Sequence, residues 1–280
     1  MAQPRSRVAM TVSNATPGVF ETRPVSAFGG WLSRDRRAAP ARPRVAVVVP
    51  TYNEVDNLPH LVGRIFSLGL EGVRLIVVDD ASPDGTGRLA TRLARRARGA
   101  IDVVQRDRKL GLGTAYVAGF KRALAEGADY IVQMDADLSH DPDGIPGMLE
   151  ELREADVVVG SRYVQRASAD PAWGPTRRRL SVVGNRGIRL LAGLRVRDTT
   201  SGFKAFRADA LRAVDLDRLK CRGFGFQAEM AIVCQGLRLR VVERPISFRT
   251  RTRGCSKMSV GIVAEAIWRL VPLACGKSHG

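Results

Sequence analysis

Acidic residues stand at the ends of three apolar runs. Glu54 closes the segment Pro50-Thr51-Tyr52-Asn53-Glu54 after Val45–Val49. Asp79 and Asp80 follow Val73–Val78, and Asp135 and Asp137 follow Tyr130–Met134. An Asp after a strand also serves turns, so one such cluster says little. Three brought to one edge would repel each other unless a cation or hydrogen-bond donors lay among them. Asp135-Ala136-Asp137 has the sharpest chemistry. Hard divalent cations take oxygen ligands, and Mg2+ is commonly held by one or two carboxylates plus phosphate oxygens of a substrate. A cation so held neutralises charge developing on a departing diphosphate.

The pattern around these acids predicts the elements that position them. Strands are expected at Val45–Val49, Val73–Val78, Ile101–Val104, Tyr130–Met134 and Val157–Val159. They alternate with helices at Asn57–Leu68, Thr86–Arg98, Thr114–Glu126 and Asp143–Glu154, the last with Asp141 or Asp143 near its cap. Such alternation implies an α/β fold, a mostly parallel sheet with helices on both faces. In these sheets ligands bind beyond the carboxyl ends of the strands, where the acids fall. Gly111-Leu112-Gly113 is no dinucleotide fingerprint, because Tyr116 takes the third glycine's place; it opens a helix with Thr114 near the cap. After Gly160 the rhythm changes. Helices are expected at Arg177–Leu194 and Phe226–Gln235, a strand at Leu239–Val242, and an irregular stretch at Thr199–Phe206. A final amphipathic helix, Gly261–Leu273, follows, and this half reads as an elaboration of the same sheet.

Composition narrows the classes. With 280 residues, 45% of them hydrophobic, the chain can bury one sizeable core. No apolar run reaches the roughly 18 residues of a membrane span. The N-terminus lacks the apolar core of a signal peptide, so a cytoplasmic protein is expected. Cys221, Cys234, Cys255 and Cys275 lie far apart without zinc spacing, and are read as reduced and structural. Residues 1–44 carry a net charge of +6, residues 45–161 a net −5 and residues 162–280 a net +16. A surplus so placed suits an anionic partner, although an arginine-rich composition accounts for part of it. Nucleic acid is disfavoured, since aromatic stacking platforms and reading modules are missing and the acidic strand ends would go unexplained. Residues 1–44, rich in Pro, Arg, Ala and Ser, are read as a disordered basic tail. The catalytic core is placed at 45–258, with a C-terminal amphipathic helix and tail at 259–280.

A series of segments then carries a family resemblance: VAVVVPTYNE (Val45–Glu54), VVDDASPDG (Val77–Gly85), GLGTAY (Gly111–Tyr116), QMDADLSH (Gln133–His140) and GSRY (Gly160–Tyr163). GFGFQAE (Gly223–Glu229), PISF (Pro245–Phe248) and Ser256-Lys257-Met258 continue it, so it covers about residues 45–260. The chain resembles the inverting family 2 glycosyltransferases of the GT-A fold, and within them the dolichyl-phosphate and polyprenyl-phosphate mannose synthases. The resemblance implies that Pro50, Tyr52, Glu54, Val78 and Asp80 form the nucleotide pocket. It implies that Asp135, Ala136 and Asp137 form the donor and metal site, taking Mg2+ or Mn2+ with Asp137 as the direct ligand. Arg162, Arg251 and Lys257 would hold donor diphosphate or acceptor phosphate, arginine offering a planar fork of donors. The chain departs from the pattern at Ser139, where several relatives carry Gln, and at Val182, where many carry Arg after the serine. Arg177–Arg179 then remain for the acceptor.

The implied reaction moves mannose from GDP-mannose to a polyprenyl phosphate with inversion. Glucose or N-acetylglucosamine donors and a non-lipid acceptor are the alternatives within the same fold. Access to a lipid head group calls for peripheral contact with an anionic membrane on its cytoplasmic face, and a membrane partner subunit is left open. Gly261–Leu273 either packs on the core or lies in the membrane interface.

Overall fold

The structure, a computed structural model, describes residues 42–164, 168–169, 175–223 and 225–248. The expectations for the basic tail, for Arg251, Lys257, Cys255 and Cys275, and for the Gly261–Leu273 helix lie outside these residues.

The first strand, β1 (Val45–Thr51), is buried along its whole length. Its β-branched side chains alternate between two cores, as the period of a strand requires. Val45, Val47 and Val49 point to one and Ala46 and Val48 to the other. β2 (Val73–Asp79) and β3 (Ile101–Gln105) add in parallel on one side of β1, and β4 (Tyr130–Gln133) on the other. Helices α1 (Leu58–Ser67), α2 (Thr86–Arg96) and α4 (Ile145–Glu151) cover the first face. α3 (Leu112–Ala125), α6 (Ala208–Arg212) and α7 (Gly225–Gly236) cover the second. Gly119 lets α3 lie close to the sheet: a Cβ there would sit 2.2 Å from Val48 Cγ1.

β5 (Val157–Ser161), β7 (Lys204–Arg207) and β8 (Val241–Pro245) complete a seven-stranded sheet in the order β3-β2-β1-β4-β7-β5-β8. Only β7 runs antiparallel to its neighbours, β4 and β5. A short parallel pair, β6 (Ser168–Ala169) with β9 (Ser247–Phe248), lies apart, and α5 spans Pro175–Leu191.

β7 is the main departure from the irregular stretch expected at Thr199–Phe206. Charged Lys204 and Arg207 hide the strand, yet both are buried. Lys204 Nζ donates to Ser201 O at 2.5 Å and to Gln227 Oε1 at 2.6 Å, so its polar end is satisfied inside the core. Burial pushes that ammonium down to about 8. Asp141 rather than Asp143 does the capping, accepting from the Asp143 amide at 3.1 Å. It caps a 3-10 turn, Pro142–Gly144, so the α-helix proper begins only at Ile145. Cys221 and Cys234 are buried free thiols. Among the described residues no helix is long and apolar enough to cross a membrane.

Candidate active site

Strand order reverses beside β1, where β2 continues one way and β4 the other. A doubly wound sheet opens its ligand crevice at such a switch point, beyond the carboxyl ends. Glu54, Asp79, Asp80, Asp135 and Asp137 all come from the ends of β1, β2 and β4, so the fold collects them there.

These acids do different work. Asp79 is committed to structure: it accepts from Thr51 Oγ1 at 2.9 Å, Ser82 Oγ at 2.6 Å and the Ser82 amide at 3.1 Å. Asp80 holds the loop after β3. Its carboxylate accepts from the Leu110 amide at 3.0 Å and the Gly111 amide at 2.9 Å, and pairs with Arg106 at 3.1 Å. Gly111 sits at φ 104°, a conformation that suits glycine. The loop thus anchored carries Lys109 over the Tyr52 ring, its Nζ 3.7 Å from the centroid. Glu54 accepts from Asn57 Nδ2 at 2.8 Å, and its amide donates to Thr86 Oγ1 at 2.9 Å. Pro50 pairs with Val78 across β1 and β2, and both are buried.

Asp135 remains partly open, its side chain 26% exposed. The Tyr116 hydroxyl donates to its Oδ1 at 2.7 Å. That ring is fully buried and stacks on Phe120 and Phe226 at centroid distances of 5.9 and 5.7 Å. Burial first, and then Asp135, drive the Tyr116 phenol well above its ordinary range, so it stays a donor. On the other side a Cβ at Gly202 would lie 2.8 Å from Asp135 Oδ2, so only glycine leaves that flank clear. His140 is buried against Phe203, and its Nδ1 accepts from the Asp135 amide at 3.4 Å. Burial lowers the imidazole below its ordinary range, against the opposing pull of Asp135 and Asp137. Asp137 is 4% exposed and accepts from the Ser139 amide at 3.0 Å and the Ser139 hydroxyl at 2.5 Å. Ser139, a departure from the family pattern, therefore orients the acid it follows. Ala136 between the two acids turns into the core.

Two carboxylates from one short turn, with a glycine-cleared flank, fit a hard divalent cation that completes its shell with substrate phosphate. Among the described residues no three His, Cys, Asp or Glu side chains form a self-sufficient cage. A cation held by so few carboxylates would draw the rest of its shell from substrate oxygens or water.

Strain marks the same edge. Asn53, Ala81 and Leu138 all have left-handed backbones, with φ of 60°, 56° and 60°. Each lies just past one of the acidic strand ends, and nearby side-chain bonds hold them: Ser82 Oγ accepts from the Asn53 amide, and Ser139 is tied to Asp137. Left-handed non-glycine residues cost of order 1–3 kcal/mol each and gather where geometry is functional.

Arg162 is held in a buried ion pair with Asp198. Its Nε and Nη2 each donate to Asp198 at 2.8 Å, its amide donates to Asp198 at 3.0 Å, and Nη2 reaches Thr200 Oγ1 at 2.7 Å. Burial would lower the guanidinium and raise the Asp198 carboxyl. The pair's mutual attraction outweighs it, pushing Arg162 up and Asp198 down. Glu243 in turn holds the Asp198 amide at 2.9 Å. Arg162 also feels Asp135, and His140 feels Asp135, Asp137 and Arg162, so the structure brings these groups into one electrostatic cluster.

Sequence reasoning gave no role to Tyr116, Asp198, Gly202 or Gln227. Tyr116 stood in a quoted motif, where a tyrosine in place of a third glycine was the available signal; Asp198 carried none. Tyr116→Phe is expected to lower kcat/KM about tenfold, or ~1.4 kcal/mol, and to raise the metal concentration for half-maximal activity. Thermal melting should move little. Unchanged turnover and metal response in a metal titration would show that Tyr116 only packs.

Sheet order, switch point and paired carboxylates define a glycosyltransferase of the GT-A fold. The chain belongs to glycosyl transferase family 2, whose domain it matches over residues 46–215. It is 46% identical over 225 residues to an undecaprenyl-phosphate mannosyltransferase of Micrococcus luteus, covering 80% of this chain and 91% of that one. It is 40% identical over 228 residues to a polyprenol monophosphomannose synthase of Mycolicibacterium smegmatis, covering 81% and 85%. Among solved structures, glucosyl-3-phosphoglycerate synthase of Mycobacterium tuberculosis, crystallised with Mn2+, UDP-glucose and phosphoglyceric acid, superposes with a TM-score of 0.61. It covers 84% of this chain and 81% of that one at 21% identity, a likeness of fold.

Proposed function

We propose that this enzyme transfers mannose from GDP-mannose to a polyprenyl phosphate, with inversion, using Mg2+ or Mn2+ at the cytoplasmic face of a membrane. The observation that carries the reading is the identity, across four-fifths of the chain, with two relatives named for mannose transfer to lipid phosphate. Asp137 and Asp135 would hold the cation, which neutralises the departing GDP. Tyr116 and the Gly202 flank keep Asp135 oriented for it. Pro50, Tyr52, Glu54, Val78 and Asp80 frame the nucleotide pocket, with Asp80 acting through the loop that it anchors. Arg162, fixed by Asp198, sets positive potential where donor and acceptor phosphates meet, and Arg251 and Lys257 are assigned the same task. The acceptor phosphate is itself the nucleophile and is largely anionic near neutral pH, its second pKa being about 6, so no strong general base is required. Catalysis then rests on positioning and charge.

Calorimetry on the purified chain with Mn2+ tests the donor. GDP-mannose should bind at least about tenfold tighter, ~1.4 kcal/mol, than UDP-glucose or UDP-N-acetylglucosamine. Preference for a UDP-sugar would assign another sugar to this fold.

A further inference from the structure

Lys204 is an unfavourable choice for stability at its position. It opens β7 inside the sheet, 2% exposed, opposite Gln133 of β4 and Val159 of β5. A small apolar cavity beside it is lined by Val157, Val159, Met230 and Cys234. A buried ammonium loses hydration that hydrogen bonds only partly return, and an apolar residue of similar volume is often as stable or more so. Burial weighs against the charge, whereas Asp198 and Asp135 favour it. A charge kept here at that cost calls for a task beyond filling the core.

The ammonium begins a buried chain of side chains. Its Nζ donates to Gln227 Oε1 on α7 at 2.6 Å, and the same oxygen accepts from Gln133 Nε2 at 2.7 Å. Lys204 Nζ also donates to Ser201 O at 2.5 Å, and Gln133 Nε2 donates to Gly202 O at 3.2 Å. One connected set thus grips two successive carbonyls. The segment that carries them joins both halves of the site. At its start Asp198 and Thr200 accept from the Arg162 guanidinium, and at its end Gly202 flanks Asp135 Oδ2. Ser201 Oγ ties its middle to Gly160 O at 2.6 Å, two residues before Arg162. Gln133 also acts on the Tyr116 hydroxyl, the donor to Asp135 Oδ1, against the burial that raises that phenol.

We propose that Lys204 is a positioning residue for the transfer reaction: its ammonium, with Gln227 and Gln133, locks the Asp198–Gly202 segment so that Asp135 and Arg162 face one substrate together. A charged donor makes shorter and stronger hydrogen bonds than a neutral one, which suits a clamp on backbone carbonyls. Lys204 acts through this segment and not on the reacting atoms. The inference rests on the assignment of the cation to Asp135 and Asp137.

Two substitutions in the full chain test it. Lys204→Met keeps an apolar stem and removes the ammonium, and Gln133→Met removes the link to Gly202 O. Each should weaken Mn2+ binding in the presence of GDP, read from the EPR signal of free Mn2+, at least about fivefold, and lower kcat about tenfold. Lys204→Arg, which keeps charged donors, should recover most of the Mn2+ binding. The double variant should be no more than about twofold worse than either single one, because a chain already broken cannot be broken again. A Lys204 that only holds the core predicts a shifted melting temperature with Mn2+ affinity and kcat intact. That result, or additive losses in the double variant, overturns the proposal. If Lys204→Met does not fold, Gln133→Met with wild-type Mn2+ affinity and kcat overturns it. A wild type that binds no Mn2+ with GDP removes the metal assignment alone, and hydrogen exchange of the metal-free chain then decides the clamp. Residues 198–203 should exchange at least about fivefold faster in the variants, with Val45–Thr51 unchanged, and equal exchange overturns it.

Discussion

Asp137→Asn is expected to lower kcat/KM by about a thousandfold or more, ~4 kcal/mol, the scale of a metal's contribution to charge stabilisation. The substitution is nearly isosteric, and the amide oxygen can still accept from Ser139 as the carboxylate does at 3.0 and 2.5 Å. Fold and melting temperature should therefore change by only a few degrees, roughly the effect of 1 kcal/mol or less. What is lost is the negative charge at a strand end already shared with Asp135. The loss should persist at saturating Mg2+ or Mn2+. A variant that keeps more than a tenth of wild-type turnover at high metal would remove Asp137 from the metal site.

The second large effect falls on stability and activity together. Arg162→Ala strips the partner from Asp198, a carboxylate with no exposed surface. Breaking a buried pair on one side costs roughly 3–5 kcal/mol, because the remaining charge stays uncompensated. In wild type the folded Asp198 carboxyl is held below its ordinary range, so its stabilising contribution is present above the unfolded pKa and lost as pH falls through the folded one. In the variant the sign reverses. Burial without Arg162 raises the carboxyl, so stability is best in acid and declines as pH rises. Urea unfolding at pH 5 and pH 7 should show a smaller deficit at pH 5. Arg162→Lys should restore part of the stability and less of the activity, since an ammonium cannot make the forked contact with Asp198. Equal deficits at both pH values would mean that Asp198 finds another partner.

The acidic strand ends were legible because strand periodicity and the switch-point rule both act over short distances in the chain. Val45–Val49 and Leu75–Val78 are uninterrupted apolar runs; Asp79 and Asp80 follow the second directly, and Glu54 stands five residues past the first. β7 was not legible, because Lys204 and Arg207 read as surface residues and only tertiary acceptors such as Gln227 explain their burial. The Arg162–Asp198 pair is 36 residues apart in sequence, and nothing local signals it. Tyr116 lies between these cases: it stands in a readable motif, but its aim at Asp135 depends on how α3 packs over β1. Local pattern gave the edge of the site, and long-range packing supplied what holds it.

The most direct test of the account is product analysis. The purified chain is incubated with GDP-mannose, Mg2+ or Mn2+ and a short polyprenyl phosphate, and the lipid is examined by mass spectrometry and anomeric NMR. The expected product carries a single added hexose on the lipid phosphate, with configuration inverted relative to the donor, and none forms once metal is chelated. Undiminished transfer in chelator, retention of configuration, or a sugar accepted only from another nucleotide would contradict it.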